Sequence, residues 1–247
     1  MATAADIIAW LNDVLDIPGH PDFGGAHNGV QVEPPDQISV VATAVDACAH
    51  SAEAAREAGA QMLLVHHGMF WGGVQPVTRE RYRLLSALLA APCGLYSAHL
   101  PLDSHELYGN NAILADRLGL DRIEPFGTFE GCAVGRIGDT SLDGPEAAAA
   151  RLGFEIVEAV PPVRAGRLAV VSGNGGSLVR EAALVGASIL LTGEVDHHDR
   201  VLARDLGLGI WCGGHYQTET VGVRALGQAL AEAFDVTHVP LDLPTGG

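Results

Sequence analysis

The sequence predicts an α/β protein of two related lobes, duplicated within the chain, with a metal site at the lobe junction. Three observations carry that expectation. Apolar, β-branched runs alternate with Ala-rich helical stretches, a segment of the first half echoes in the second, and the histidines gather where apolar runs end.

Ala4 to Leu15 has the apolar spacing of a helix, broken by Pro18, Gly19 and Pro21 before a turn-like Asn28-Gly29. Ile38 to Val45 suits a buried strand. The Ala-rich stretch Ala47 to Ala58 reads as a helix stopped by Gly59, and Met62 to Val65 reads as the next buried strand. Strand, helix and strand in so short a span imply a parallel pair joined by a crossover helix. Residues 40–67 then align without a gap on residues 167–194, placing Ala42 on Ala169, Ala55 on Ala182, Gly59-Ala60 on Gly186-Ala187 and Leu63-Leu64 on Leu190-Leu191. These identities sit at cap and strand positions, as a duplicated β-α-β unit requires. In this register His66-His67 falls on Gly193-Glu194, so both second strands end in polar residues, where open α/β sheets place ligands. The Gly-rich stretch from Gly127 to Gly144 and the Pro161-Pro162 pair punctuate the chain between the echoes. The expected lobes are residues 1–127 with 213–247, and residues 128–212.

Thirty Asp and Glu against fourteen basic residues give a formal charge of -16, the wrong sign for coating a phosphate backbone or an anionic membrane. Nonspecific nucleic-acid binding is therefore not expected. All fourteen basic residues are Arg, which excludes a Schiff-base lysine and a Walker-type phosphate loop. Cys48, Cys93, Cys132 and Cys212 lie far apart and read as buried free thiols. No apolar run approaches the ~18 residues of a membrane span. The opening Met-Ala-Thr-Ala-Ala-Asp lacks the basic start of a signal peptide, so a cytoplasmic protein without a membrane partner is expected.

His66-His67-Gly68 follows a buried strand, and a turn at Gly68 would let two imidazoles approach one centre or two adjacent ones; the plainer alternative is one core and one surface histidine. In His99-Leu-Pro-Leu-Asp103, Pro101 would hold an extended segment that projects Asp103 either as a metal-bridging carboxylate or as a helix cap. His215 and Glu219, four residues apart, share a helix face that grips an ion or simply closes a hydrogen bond. Together His66, His67, Asp103, His215 and Glu219 supply three nitrogens and two carboxylates, enough for two divalent ions of the Zn, Mn, Fe or Co class if a carboxylate bridges them. Four other features carry weaker expectations. Asp196-His197-His198 reads as a solvated helix start rather than a peripheral metal contact, and Met69-Phe70-Trp71, before Gly72-Gly73, as a lid or a subunit contact. Arg79, Arg81 and Arg83 read as a solvated face rather than a phosphate clamp, and Ser172-Gly-Asn-Gly-Gly-Ser177 as either an anion-binding turn or tight packing.

The blocks Asn28-Gly-Val-Gln-Val-Glu33, Val65-His-His-Gly68 with Phe70-Trp71, His99-Leu-Pro-Leu-Asp103, Gly109-Asn-Asn111, Thr192-Gly-Glu194 and Gly214-His215 with Thr218-Glu219 run nearly end to end. In them the chain resembles the dinuclear-metal-centre hexameric proteins, also called NGG-interacting-factor-three-like proteins or GTP cyclohydrolase I type 2 homologues. Its length is that of the short bacterial members. The resemblance implies two α/β lobes, a two-metal site at their junction and a homohexamer. It places the five ligands on His66, His67, Asp103, His215 and Glu219, two divalent ions per chain. It also implies a small-molecule substrate, a nucleotide such as GTP whose purine ring is opened by a metal-activated water; phosphoester hydrolysis fits the same physics. His99 and Glu194 are, by location, candidates to orient ligands or move protons. The competing expectation is a non-enzymatic metal-binding scaffold or regulatory protein.

Overall fold

A computed structural model describes residues 2–71, 75–163 and 166–245. In chain order the elements are β1 (Ala2–Thr3), α1 (Ala4–Val14), β2 (Gly29–Val32), β3 (Gln37–Ile38), β4 (Val40–Asp46), α2 (Ala49–Glu57), β5 (Met62–His67), α3 (Arg79–Ala90), β6 (Gly94–Ser97), α4 (Leu100–Ser104) and α5 (Asn110–Leu118). They continue with β7 (Asp121–Phe129), β8 (Cys132–Asp139), α6 (Pro145–Leu152), β9 (Glu158–Val160), β10 (Arg167–Asn174), α7 (Val179–Leu184), β11 (Ala187–Glu194), α8 (His197–Leu206), β12 (Gly209–Cys212), α9 (His215–Phe234) and β13 (Thr237–Pro240).

Two compact α/β units result: the residues up to Leu102 with Gly222–Leu243, and Asp103–Val221 with the residues from Pro244 on. The chain passes from one to the other within α4 and returns within α9. The expected lobe boundaries after residues 127 and 212 fall inside β7 and between β12 and α9.

The first unit holds a five-stranded sheet in the order β13-β4-β5-β6-β2, in which only β2 runs antiparallel. Its apolar strand residues Ala42, Ala44, Leu63, Val65 and Leu95 pack with Ala52 and Ala55 of α2 and Leu84 and Leu88 of α3. Alanines on both surfaces let α2 lie close to the sheet. The second unit holds a six-stranded sheet, β7-β8-β10-β11-β12-β9, covered on both faces. Alternate strand residues divide between the faces, as a period of two demands. Ala169, Leu190 and Ile210 pack with Val179, Ala182 and Ala203, while Leu168, Leu191 and Trp211 pack with Leu114, Leu118 and Leu152. Truncating Leu63 or Leu190, both fully buried, to Ala would cost about 2–5 kcal/mol.

The sequence echo is also an echo of register. Val41 pairs with Met62 and Ala42 with Leu63 in the first sheet; their counterparts pair as Leu168 with Ile189 and Ala169 with Leu190 in the second. The repeat extends to a third strand, beyond what the sequence alignment covers. Gly94, Leu95, Tyr96 and Ser97 pair with Met62–Val65 just as Gly209, Ile210, Trp211 and Cys212 pair with Ile189–Thr192. Each unit therefore contains a three-stranded parallel core of one pattern, flanked by further strands of its own, and each presents polar residues at corresponding strand ends.

Three local expectations are corrected. His66 and His67 are the last two residues of β5 rather than residues beyond it. Pro101 does not hold an extended segment: it sits in the first turn of α4, where its fixed φ suits a helix and its missing N–H has no intrahelical partner to lose. Cys48 is exposed at the start of α2, which it caps with its sulfur accepting from the Ser51 amide, and Cys132 is half-buried. Among the described residues no helix is long and apolar enough to cross a membrane.

Candidate metal centre

In the first unit three imidazoles meet at the carboxyl ends of β5 and β6. Ring centres of His66 and His67 are 4.8 Å apart, of His66 and His99 4.9 Å, and of His67 and His99 5.6 Å. One ring nitrogen from each lies within 4.8 Å of the other two. The Nδ1–H of each ring donates to an oxygen: His66 to the Ala98 carbonyl at 2.9 Å, His67 to Asp46 Oδ1 at 2.9 Å, and His99 to Asp22 Oδ1 at 2.8 Å. Because carbonyls and carboxylates only accept, these contacts fix Nδ1 as the protonated nitrogen and Nε2 as the basic one in all three rings.

Residues distant in sequence hold this arrangement. Asp22 also accepts from the Asn28 amide at 2.8 Å and the Leu100 main-chain N–H at 3.0 Å, and Asn28 in turn accepts from the His99 N–H at 2.8 Å. Burial pushes the Asp22 carboxyl upward, but the hydrogen bond and charge of His99 with the Asn28 and Phe23 donors outweigh it, so the group lies below its ordinary value. Gln31 accepts from the Met69 N–H at 2.7 Å, and a Cβ on Gly68 would stand 2.2 Å from its amide. Those contacts account for the glycine after the two histidines. Trp71 lies edge-on to His99, ring centres 4.9 Å apart, and Met69 is buried while Phe70 is exposed. Gly72 and Gly73, which close the expected lid, lie outside the described residues.

In the second unit His215 opens α9 and Glu219 follows one turn later. The Nδ1–H of His215 donates to Glu194 Oε1 at 2.9 Å, and Nε2 lies 3.2 Å from Glu219 Oε1. Glu219 is buried. Its hydrogen bond and charge, opposed by burial and assisted by Glu194, raise the His215 imidazole to about 9. With the Glu194 and Glu219 carboxylates on the two ring nitrogens of His215, this place favours positive charge. Gly173, at φ +62°, brings the end of β10 against the pair: a Cβ there would stand 2.3 Å from Glu219 Oε1.

Asp103 is also buried in this unit, its Oδ1 accepting from Asn110 Nδ2 and Ser172 Oγ, both at 2.8 Å. Asn111 accepts from the Ser172 N–H at 2.6 Å and donates to the Val134 carbonyl at 2.6 Å. The structure thus brings His66, His67 and His99 together in one unit. In the other it brings together His215, Glu219 and Glu194, with Asp103 fixed on its own set of donors.

The remaining candidates take their plainer forms. Asp196 caps α8 in a reciprocal box with Asp199, and His198 is exposed. Arg79 and Arg83 share a face of α3 while Arg81 projects elsewhere, so the three do not converge. The Gly173 amide is taken by Thr218, that of Gly175 by Thr192 and that of Gly176 by Asn174, so the Ser172–Ser177 turn has these donors committed to tight packing. Sequence reasoning missed Asp22 and Asp46 as partners of the histidines, and nothing near them in the chain marks them.

The comparisons agree with this fold. A relative from Pyrococcus abyssi named GTP cyclohydrolase 1 type 2 homolog is 40% identical over 98% of both chains. One of the same name from Halobacterium salinarum is likewise 40% identical, with 98% of each covered. The crystal structure of TTHA1606 from Thermus thermophilus superposes with a TM-score of 0.88 at 32% identity, covering 99% of this chain and 100% of that one. Residues 2–245 match the model of the Duf34/NIF3 (NGG1p interacting factor 3) family, and the chain belongs to that family.

Proposed function

We propose that the protein is a dinuclear metal-dependent hydrolase that assembles as a homohexamer and acts on a nucleotide. His66, His67, Asp103, His215 and Glu219 would hold two divalent ions. The carrying observation is that His66, His67 and His215 each have Nδ1 anchored on an oxygen, so that Nε2 is the nitrogen that would ligate a cation. The donor set fits Zn, Mn, Fe or Co. When bound, such ions supply Lewis acidity and lower the pKa of a water molecule toward neutrality.

The protein's own residues do the positioning. Asp46 and Glu194 set the ring planes of His67 and His215. Glu219 and Asp103 bring the negative charge that offsets two dications, and their burial makes that charge count for more than it would in water. Trp71 lies edge-on against His67 and His99 and adds an apolar wall to the histidine cluster. The relatives' printed name supports a nucleotide as substrate and opening of its purine ring as the reaction.

The test is a screen of metal-reconstituted protein against nucleotides and phosphoesters, with His215→Ala as control. Turnover of a purine nucleotide that the variant loses is the expected result. A metal-replete protein inert toward every member of the screen would overturn the hydrolase reading in favour of a metal-binding scaffold.

A further inference from the structure

We propose that the second unit holds a separate site for a small zwitterion, a carboxylate beside a protonated amine, as in a free α-amino acid. Arg136 and Ser104 would take the carboxylate and Glu106 the ammonium group.

The site is a cavity of about 300 Å3 between the end of α4 and the β7-β8 hairpin, at the small end of ligand pockets. Arg136 lines it and is only 8% exposed. Its Nη1 donates to the Gly135 carbonyl at 2.9 Å and its Nη2 to the Ser104 carbonyl at 2.8 Å, which uses two of its five N–H groups. Arg122, Arg167, Arg200 and Arg224, all more exposed, each face a carboxylate. Arg136 pairs with none among the described residues. A guanidinium taken out of water without a counter-charge is costly, and carbonyl dipoles offset only part of that cost. Burial accordingly lowers the Arg136 pKa from the ordinary arginine value, opposed by the charge of Glu106. Ser104 Oγ, on the same cavity, is buried without a hydrogen-bond partner among the described residues. A carboxylate seated here would accept from the free Arg136 N–H groups and from the Ser104 hydroxyl, and would bring the missing charge.

A bare anion would not suit the rest of the lining. Glu106 and Glu124 also border the cavity, and both repel negative charge. Arg167 already offsets Glu124, with nitrogen and oxygen 2.8 Å apart. Glu106 is exposed and acts on Arg136 through space rather than in an ion-pair contact. A ligand with an ammonium group next to its carboxylate answers Arg136 and Glu106 together and leaves the net charge of the place unchanged. Ile123, Pro125 and Ala133 complete the lining with apolar surface for a short aliphatic side chain.

Nuclear magnetic resonance of isotope-labelled wild-type protein provides the test, read at the Arg136 Nε–H, which Arg136→Lys assigns by its disappearance. The probe is L-alanine; propionate lacks its ammonium group and ethylamine lacks its carboxylate. L-Alanine should shift the resonance saturably, propionate should bind about 10-fold more weakly or worse, and ethylamine should leave the resonance in place, since each lost hydrogen bond to a charged group is worth about a factor of ten. Glu106→Gln should weaken L-alanine to the level of propionate and leave propionate unweakened, whereas Ser104→Ala should weaken both alike. No saturable shift with L-alanine would overturn the site. Equal affinities for L-alanine and propionate in wild type, or tighter binding of inorganic phosphate than of either, would overturn the zwitterion in favour of a plain oxyanion. Should Arg136→Lys fail to fold, the wild-type and Glu106→Gln affinities, measured by calorimetry, still decide.

Discussion

At the scale of single residues, His215 has a testable titration in the metal-free protein. Its folded value of about 9 lies above the ordinary 6.5, so the pair it forms with Glu219 contributes stability that is fully present below pH 6.5 and is lost as pH rises through about 9. The ring is more than a third exposed, which keeps the contribution small. Proton NMR of the apoprotein should place the imidazole midpoint near 9, and Glu219→Gln should bring it down toward the ordinary value. A midpoint unmoved by that change would remove Glu219 as the cause. Gly173→Ala probes the same contact from the strand side. The positive φ and the 2.3 Å approach to Glu219 leave no room for a methyl group, so the expected cost is about 1–3 kcal/mol in the denaturation midpoint, with weaker metal binding. Unchanged stability and affinity would show that Glu219 can move aside. The sequence exposed His215 and Glu219 through their spacing, whereas Asp22 and Asp46 stand 77 and 21 residues from the histidines they support, and no local pattern encodes a hydrogen bond over such a separation.

At the scale of elements, the short parallel units were legible because buried strands and capped helices leave local marks: α1 spans Ala4–Val14 against an expected Ala4 to Leu15, and Gly59 takes its left-handed turn after α2. Ends of elements were less legible. The extension of β5 through His66 and His67 comes from ladder pairing of Asp46 with His67, a tertiary contact that outweighs the polarity of the two residues. Asn111, on α5, shows what joins elements behind the site. Buried at 1% exposure, it accepts from the Ser172 amide of β10 and donates to the Val134 carbonyl of β8. Asn111→Leu keeps the volume roughly but strands two buried main-chain groups, each worth about 1–3 kcal/mol when unsatisfied. A loss of several kcal/mol in urea is therefore expected, with slackened Asp103, since Ser172 also donates to that carboxylate. A variant as stable as wild type would mean that the two groups find other partners.

At the scale of the whole molecule, the two units share a strand register that a few scattered identities only hinted at, yet they present different chemistry at corresponding ends: imidazoles in the last two positions of β5, a glutamate in the last position of β11. Around both, the chain carries a formal charge of -16 with no lysine. Charge of one sign at this density repels itself, opposing both compaction and the gathering of copies, and salt screens it with a length of about 10 Å at 0.1 M. The homohexamer we propose would multiply the repulsion. Light scattering on metal-loaded protein should therefore give about six chain masses at about 500 mM NaCl and a shift toward smaller species at about 20 mM NaCl, with the melting temperature rising over the same range. Replacing sodium chloride by an uncharged osmolyte should not reproduce the shift in mass, because it leaves the charges unscreened. Divalent ions bound at the site would lower the net charge directly, so chelation at low salt should push the distribution further toward single chains. A mass of one chain at every salt concentration would refute the hexamer, and a hexamer indifferent to salt would show that apolar contacts in the interface outweigh the charge altogether.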